Sequence, residues 1–266
     1  MNTHLHPSAH DAEHVADHDA EPLHAAAQRL TAGFAELDLD ERLKAVRHEI
    51  AGPLVFTTSF GLEDQAIAHA IFTQALPIDV VTLDTGRLFP QTYQVWSETE
   101  ARYGRRIRAL YPERRAVEAF VAAHGIDGFR SSVGARQACC GVRKVEPLGR
   151  ALTGAAGWIT GVRAEQSWER ATTPYAALDA TRGLIKINPL LDWLRERVVA
   201  YVHKHAIPYN PLHDQGFLSI GCAPCTRALR PGEPERAGRW WWEQDDKKEC
   251  GLHVRPHATL ETAVAT

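Results

Sequence analysis

The stretch LVFTTSFGLED, residues 54–64, decides the fold. Its first five residues are mostly apolar and β-branched, which is typical of a short buried strand. Ser59 and Gly61 follow, and a helical pattern starts at Leu62. A strand that turns directly into a helix predicts a parallel α/β sheet. The backbone N–H groups at such a helix start also favour phosphate or sulfate, although many turns of this kind bind nothing.

The same alternation of strand and helix continues along the chain. Strands are predicted over residues 54–58, 79–83, 106–110, 158–162 and 184–187. Helices are predicted over residues 62–75, 90–103, 113–124 and 190–206. We therefore expect an α/β fold in which a parallel sheet is sandwiched by helices, with ligands bound outside the carboxyl ends of the strands.

Composition excludes several classes of protein. With 44% hydrophobic and 24% charged residues, the chain has the make-up of an ordinary globular protein. A net charge of −3 provides no basic field for nucleic acid. No apolar run reaches the roughly 18 residues that a membrane span needs, and the N-terminus lacks the pattern of a signal peptide. We therefore expect a cytoplasmic protein that binds neither nucleic acid nor membrane.

Three segments differ in character. Residues 1–24 hold six of the 14 histidines without apolar periodicity, which predicts a disordered tail, with metal scavenging as the alternative. Residues 25–230 carry the alternating pattern and are expected to form the α/β domain. Residues 231–266 open with Pro231, Gly232 and Pro234, which indicates an irregular C-terminal extension.

A second polar segment, Leu83-Asp84-Thr85-Gly86-Arg87, ends the predicted second strand. Asp, Thr and Gly at the carboxyl edge of a sheet suit the base or ribose of a nucleotide. A helix cap combined with a tight turn explains the same residues equally well.

The five cysteines divide into two close pairs and one single residue. Cys139-Cys140 and Cys222-Ala223-Pro224-Cys225 together suggest one tetrathiolate centre that holds zinc or an iron–sulfur cluster. Adjacent helical cysteines point about 100° apart, which fits one small ion poorly and a four-iron cluster better. Separate buried thiols are the alternative. Cys250 is then left without a partner, as a nucleophile or a stray surface thiol.

Basic residues recur near strand ends and loops and suggest a doubly anionic substrate, although surface charge would explain any one of them. Lys144 lies one turn past Cys140, so the two side chains can face the same site. The other members of this group are Arg163, Arg170, Arg236 and Arg239. The run Trp240-Trp241-Trp242 is compatible with core, interface or lid.

Taken together, these motifs resemble the APS/PAPS reductase family of assimilatory sulfur metabolism, from about Ser59 to His253. Its most specific parts here are the two cysteine pairs and Glu249-Cys250-Gly251-Leu252-His253. The resemblance implies an adenine-nucleotide α-hydrolase-like fold and a [4Fe–4S] cluster on Cys139, Cys140, Cys222 and Cys225. It makes Cys250 the nucleophile, on a mobile C-terminal segment over residues 231–266. It further implies that the substrate contacts include Ser59, Gly61, Leu83, Thr85, Gly86, Lys144, Arg163, Arg170, Arg236, Arg239 and His253.

The activity implied by this resemblance is reduction of adenosine 5′-phosphosulfate (APS). Cys250 would take the sulfonate as S-sulfocysteine and release AMP, and thioredoxin or a glutaredoxin-like dithiol would then release sulfite. The full cysteine set favours APS over 3′-phosphoadenosine 5′-phosphosulfate (PAPS), and a PAPS or dual reductase is the alternative within the family. An ATP pyrophosphatase and a non-enzymatic zinc- or cluster-binding regulator are the alternatives from other classes. Sequence leaves a homo-oligomer open.

Overall fold

The computed structural model describes residues 9–243 and, for side chains, residues 21–243. Six strands form one sheet in the order β3-β2-β1-β4-β6-β5. They are β1 Leu54–Thr58, β2 Asp79–Leu83, β3 Arg108–Leu110, β4 Gly157–Ile159, β5 Ala176–Asp179 and β6 Leu184–Ile187. All neighbouring pairs are parallel except β5 and β6, which run antiparallel. The predicted parallel α/β sheet is therefore confirmed.

The helices pack on both faces of this sheet. They are α1 Ala9–Gly33, α2 Leu39–Glu49, α3 Leu62–Thr73, α4 Pro90–Tyr103, α5 Arg114–His124, α6 Val133–Cys140, α7 Glu146–Leu152, α8 Trp168–Ala171 and α9 Arg195–Lys204. A π-helical turn, Gly141–Val145, joins α6 to α7. Within the described ranges, no helix combines the length and apolar composition that crossing a membrane requires.

Alternate residues of the strands fill two separate cores. Leu54 and Phe56 of β1 lie in the larger core, while Val55 between them packs with Leu148 and Leu152 of α7 on the other face. Because successive strand residues point to opposite faces, a strand covered on both sides must be apolar throughout. This requirement explains the continuous apolar run of β1.

Several predicted boundaries differ from the structure. Predicted strand 106–110 begins at Arg108, and predicted helix 190–206 begins only at Arg195. Predicted strand 158–162 lies instead over Gly157–Ile159. The sequence did not reveal β5, because Ala176-Ala177-Leu178-Asp179 has weak β-propensity and is held by its antiparallel pairing with β6.

The two terminal segments also differ from expectation where they are described. Helix α1 starts at Ala9, inside the stretch predicted to be disordered, and it contains Pro22. Its C-terminal half carries Ala26 and Leu30 into the core, which stabilises the helix by burial. Residues 231–243 belong to the predicted mobile segment, yet they pack against the domain through Trp240, which is only 1% exposed.

Candidate functional site

A cleft of about 200 Å³ opens at the carboxyl ends of the central strands. The residues that line it include Thr58 at the end of β1, Ser59 directly after it, Thr85 after β2, and Thr160 and Gly161 after β4. Parallel strands bring these ends to one edge of the sheet. The predicted location of the ligand site therefore coincides with a real cavity.

The loop after β1 is organised around the buried carboxyl of Asp64. The Ser59 backbone N–H and hydroxyl both donate to Asp64 Oδ2, at 2.6 and 2.7 Å. Burial raises the pKa of Asp64 to about 6, although the bonds from Ser59 oppose that rise. Gly61 lines the cleft and precedes the first turn of α3. Two donors that the sequence assigned to a substrate anion are thus directed at a side chain of the same loop.

The segment after β2 divides into residues that face the cleft and residues that shape the turn. Leu83 and Thr85 line the cleft. Gly86 is not among the lining residues. It adopts a φ of +68°, and its N–H donates to Asp84 Oδ1 at 2.8 Å. Glycine tolerates this left-handed conformation without strain. Gly86 therefore shapes the loop from outside the cleft wall.

Four of the five predicted basic residues line the cleft. These are Lys144, Arg170, Arg236 and Arg239. Arg239 is 6% exposed, and its Nη1 lies 3.5 Å from Ser219 Oγ and 3.3 Å from the Ile220 carbonyl oxygen. The convergence of four cations on one cleft suits a ligand with more than one negative charge.

Arg163 behaves differently from the other four. Its side chain is fully buried and does not line the cleft; it bonds to Glu63 at 2.7 Å, to Glu165 at 2.6 Å and to Glu235 at 2.8 Å. Burial raises the pKa of Glu63, yet the Arg163 charge and hydrogen bond more than offset this and hold it below the ordinary value. For Glu235, burial dominates and its pKa is raised. The structure therefore places Arg163 behind Glu63 and Glu235, two carboxylates that line the cleft, and its assignment as a substrate contact stays a prediction.

The two cysteine pairs meet at a second, smaller cavity. Cys139 and Cys140 end α6, and Cys222 and Cys225 flank a short 3-10 turn; all four line this cavity. None of these four cysteines forms a disulfide within the described part of the chain. Among the side chains that the structure describes, residues 21–243, no group of three or more His, Cys, Asp or Glu is placed to hold a metal ion. The four cysteines therefore converge on one cavity, and the choice between zinc and an iron–sulfur cluster stays open at this point.

Cys222 connects the two cavities, because it lines both. Thr85 Oγ1 lies 3.3 Å from Cys222 Sγ. Burial alone would raise the pKa of Cys222, but the Lys144 charge and the bond from Thr85 lower it. In Cys225, by contrast, burial and the neighbouring Cys222 raise the pKa to about 12. The π-helical turn places Lys144 next to Cys222, consistent with the expectation that Lys144 and the cysteines share a site.

Further basic and aromatic side chains surround the cysteines. Arg87, Arg136 and Arg143 line their cavity together with Lys144. Arg143 Nη1 donates to the Thr85 carbonyl oxygen at 2.7 Å, and Arg136 pairs with Glu243 at 2.7 Å. Such a ring of cations favours a group of negative charge among the thiols.

Four residues either escaped the sequence analysis or lie outside the part of the chain that the structure describes. His213 and Glu235 line the cleft, but no motif marks either residue. Only their position after predicted elements could have drawn attention to them. Cys250 and His253 lie outside the described residues.

The fold and the cleft define an α/β protein of the adenine-nucleotide α-hydrolase-like class, with an anion site at the strand ends and four cysteines beside it. Residues 53–228 match the phosphoadenosine phosphosulfate reductase domain, and the chain belongs to that family. The resemblance read from the motifs is therefore confirmed.

Similar proteins agree with this assignment. The chain is 59% identical over 225 residues to an adenosine 5′-phosphosulfate reductase of Agrobacterium fabrum, covering 85% of this chain and 86% of the relative. It is 54% identical to the adenosine 5′-phosphosulfate reductase of Allochromatium vinosum, covering 77% of this chain and 80% of the relative. Among solved structures, the phosphate complex of phosphoadenylyl-sulfate (PAPS) reductase from Candida auris is similar at 31% identity. That match has a TM-score of 0.65 and covers 76% of this chain and 96% of that chain.

Proposed function

We propose that this chain is an assimilatory reductase that converts APS to sulfite and AMP. The observation that carries the proposal is the joint presence of the polybasic cleft and, at its wall, the cysteine cavity. Relatives at 54–59% identity that are named adenosine 5′-phosphosulfate reductase support the same reaction. Because the chemistry needs reduced thiols, the cytoplasm is the compartment that suits it.

The cleft offers what an adenylyl sulfate requires. Thr58, Ser59, Leu83 and Thr85 present polar and apolar surface for the nucleoside at the strand ends. Lys144, Arg170, Arg236 and Arg239 provide positive charge for the phosphosulfate. Cations aimed at the phosphate also stabilise the negative charge that AMP acquires as it leaves, which is the larger contribution to catalysis.

The cysteine cavity suits a [4Fe–4S] cluster. Its four thiols belong to two segments that are distant in sequence, and its rim is basic, which matches the thiolate donors and negative charge of such a cluster. Cys139, Cys140, Cys222 and Cys225 would hold it. When bound, it would supply fixed negative charge beside Lys144. Lys144 and Thr85 both contact Cys222, so the position of the cluster would help to fix the positions of these two side chains in the cleft.

The reaction itself is assigned to Cys250 and proceeds in two half-reactions. The thiolate attacks the sulfate sulfur, an S–S bond forms, and the S–O bond to AMP breaks with its electron pair leaving on AMP. A thiolate of thioredoxin or a glutaredoxin-like dithiol next attacks the Cys250 sulfur and expels sulfite. The second thiol of that partner resolves the mixed disulfide, so the partner supplies both electrons. His253 is assigned to the phosphosulfate along with the cleft cations.

A mass-spectrometric experiment tests this proposal. Anaerobically purified protein mixed with APS, without any dithiol, should gain about 80 Da on Cys250. Cys250→Ser should gain nothing and release no sulfite, while keeping about four irons per chain, as a tetrathiolate cluster requires. Cys139→Ser serves as the matched control, because it should lose iron and leave Cys250 in place.

Two outcomes would contradict the proposal. An adduct on another cysteine would mean that the nucleophile is wrongly assigned. Equal or better kcat/KM with PAPS than with APS, measured with one dithiol partner, would favour the alternative, a PAPS or dual reductase. We expect a preference for APS of about tenfold or more, which corresponds to about 1.4 kcal/mol.

A further inference from the structure

Helix α1 carries a row of histidines that the cleft does not use. His10, His14 and His18 all fall within α1, which spans Ala9–Gly33. They are spaced four residues apart, close to the 3.6 residues of one helical turn. Residues four apart share one face of a helix, so the three positions form a line along α1. This stretch of the predicted disordered tail brings its histidines into register because it is helical.

The histidine row and the core contacts of α1 occupy different faces of the helix. Ala27 and Leu30 are buried in the larger core. Counted at about 100° per residue, His14 lies about half a turn around the helix from both of them. Packing of α1 against the core therefore does not account for the row.

The sequence around the row is acidic. Residues 1–28 contain no Lys or Arg, and the first basic residue is Arg29. The acidic residues of this stretch are Asp11, Glu13, Asp17, Asp19 and Glu21. Such a segment raises the local concentration of cations of any kind. Neutral imidazole then selects among these cations, because it suits late first-row transition metals such as zinc, copper and nickel.

We propose that α1 binds one divalent ion of this metal class through a pair of histidines one turn apart. The pair is either His10 with His14 or His14 with His18. Two histidines four residues apart on a helix also hold zinc in H-E-x-x-H sites. Because both pairs need His14, the row holds one ion and not two. This site is separate from the cleft and does not depend on the proposed function.

Isothermal titration calorimetry with Ni²⁺ tests the site. Nickel is the probe because imidazole suits it, whereas thiolates favour zinc and Cu(I). The protein would be full-length, untagged and anaerobically purified, and it would carry His4→Ala and His6→Ala, so that the histidines of α1 are tested alone. At about pH 7.5, where imidazole is neutral, we expect a site that binds one Ni²⁺ per chain.

The three histidines should differ in a defined way. Either His10→Ala or His18→Ala leaves one complete pair, so Kd should rise only about twofold, whereas His14→Ala leaves none and should raise Kd about tenfold or more because chelation is lost. The matched control is His14→Ala combined with Ala12→His, which keeps the number of histidines but not their spacing. It should bind as weakly as His14→Ala. Alanine has a higher helix propensity than histidine, so the single changes should not unfold α1.

Three results would overturn the proposal. The first is the absence of Ni²⁺ binding. The second is an equal loss of affinity in all three single variants, and the third is full affinity in the variant that carries Ala12→His. The last two would mean that Ni²⁺ binds to histidines in general and not to a pair one turn apart. None of these results bears on the proposed function, because the row is not part of the cleft wall.

Discussion

Replacing Arg163 by methionine should strongly destabilise the protein. The guanidinium is fully buried and pairs with Glu63, Glu165 and Glu235, whose side chains are 13%, 44% and 14% exposed. Arg163→Met keeps much of the packing volume and removes the charge. It leaves Glu63 and Glu235 buried without their cation, while the more exposed Glu165 still accepts from the Arg195 N–H at 2.8 Å.

The magnitude follows from the two buried carboxylates. Removing one partner of a buried ion pair costs about 3–5 kcal/mol, because the other charge stays desolvated. Glu165 adds little, since exposed pairs contribute only about 0–1 kcal/mol. We therefore expect a loss of about 3–5 kcal/mol in the free energy of unfolding at pH 8, or roughly 1 M or more in the urea midpoint.

The loss should depend on pH in a defined direction. In the wild type, burial raises the pKa of Glu63 but Arg163 holds it below the ordinary value, so its stabilising contribution is present at neutral pH and is lost on acidification. Without Arg163, burial is opposed only by the backbone hydrogen bond of Glu63 and the charge of Arg195, and we expect the folded-state pKa of Glu63 to rise above the unfolded value of about 4.3. A raised carboxyl pKa makes stability fall as pH rises. The difference in the free energy of unfolding between the variant and the wild type should therefore widen from pH 5 to pH 8.

Urea unfolding at pH 5 and pH 8, followed by tryptophan fluorescence, measures this gap. Arg114→Met is the matched control: it breaks an exposed pair with Glu118, and it should leave the midpoint nearly unchanged at both pH values. A gap below about 1 kcal/mol at pH 8, or one equally large at pH 5, would refute the view that unpaired buried carboxylates cause the loss.

Three further predictions concern the same cleft and the N-terminus. Burial raises the pKa of Asp64 from 3.8 to about 6, so its ionisation costs stability as the pH rises from about 4 to 6. Asp64→Asn removes this cost and should raise the free energy of unfolding, measured with urea, by about 2 kcal/mol at pH 8 and not at pH 4. Gly161→Ala should cost about 1–3 kcal/mol by the same assay, because its Cβ would overlap Asp64 Oδ1, whereas Gly149→Ala in α7 has open space and should gain about 0.5–1 kcal/mol. Removing residues 1–20 should leave APS turnover nearly unchanged in a kinetic assay, because among the described side chains the first contact with the core is made by Leu23.

The sheet was predictable because its strands are short, apolar and separated by turns. Strands over 54–58, 79–83 and 184–187 have the predicted bounds, since burial on both faces requires an unbroken apolar run. The edge strand β5 was missed, since its pairing partner rather than its own residues decides its conformation. Helix α1 was missed at residues 9–24 for a related reason: its anchoring contacts are made further along, at Ala26 and Leu30.

The site was predictable where residue type limits the chemistry. Four cysteines in two close pairs have few chemical roles in proteins, chiefly the binding of a metal or a cluster. Their convergence on one cavity could therefore be predicted from their spacing alone. An arginine has many uses, and nothing in the sequence distinguishes Arg163, which is buried among carboxylates, from Arg170 in the cleft. His213, which also lines the cleft, was missed for a similar reason, because no motif marks it.

The charge balance of the cleft explains how an anion site tolerates three carboxylates in its wall. Glu63, Asp64 and Glu235 line the same cavity as the cations, and as free charges they would repel a phosphosulfate. Asp64 accepts two hydrogen bonds from Ser59, while Glu63 and Glu235 share one guanidinium. Under the proposed function, Arg163 would support binding of the anion by neutralising acids that would otherwise offset the cleft cations. Its loss should for that reason weaken anion binding as well as folding.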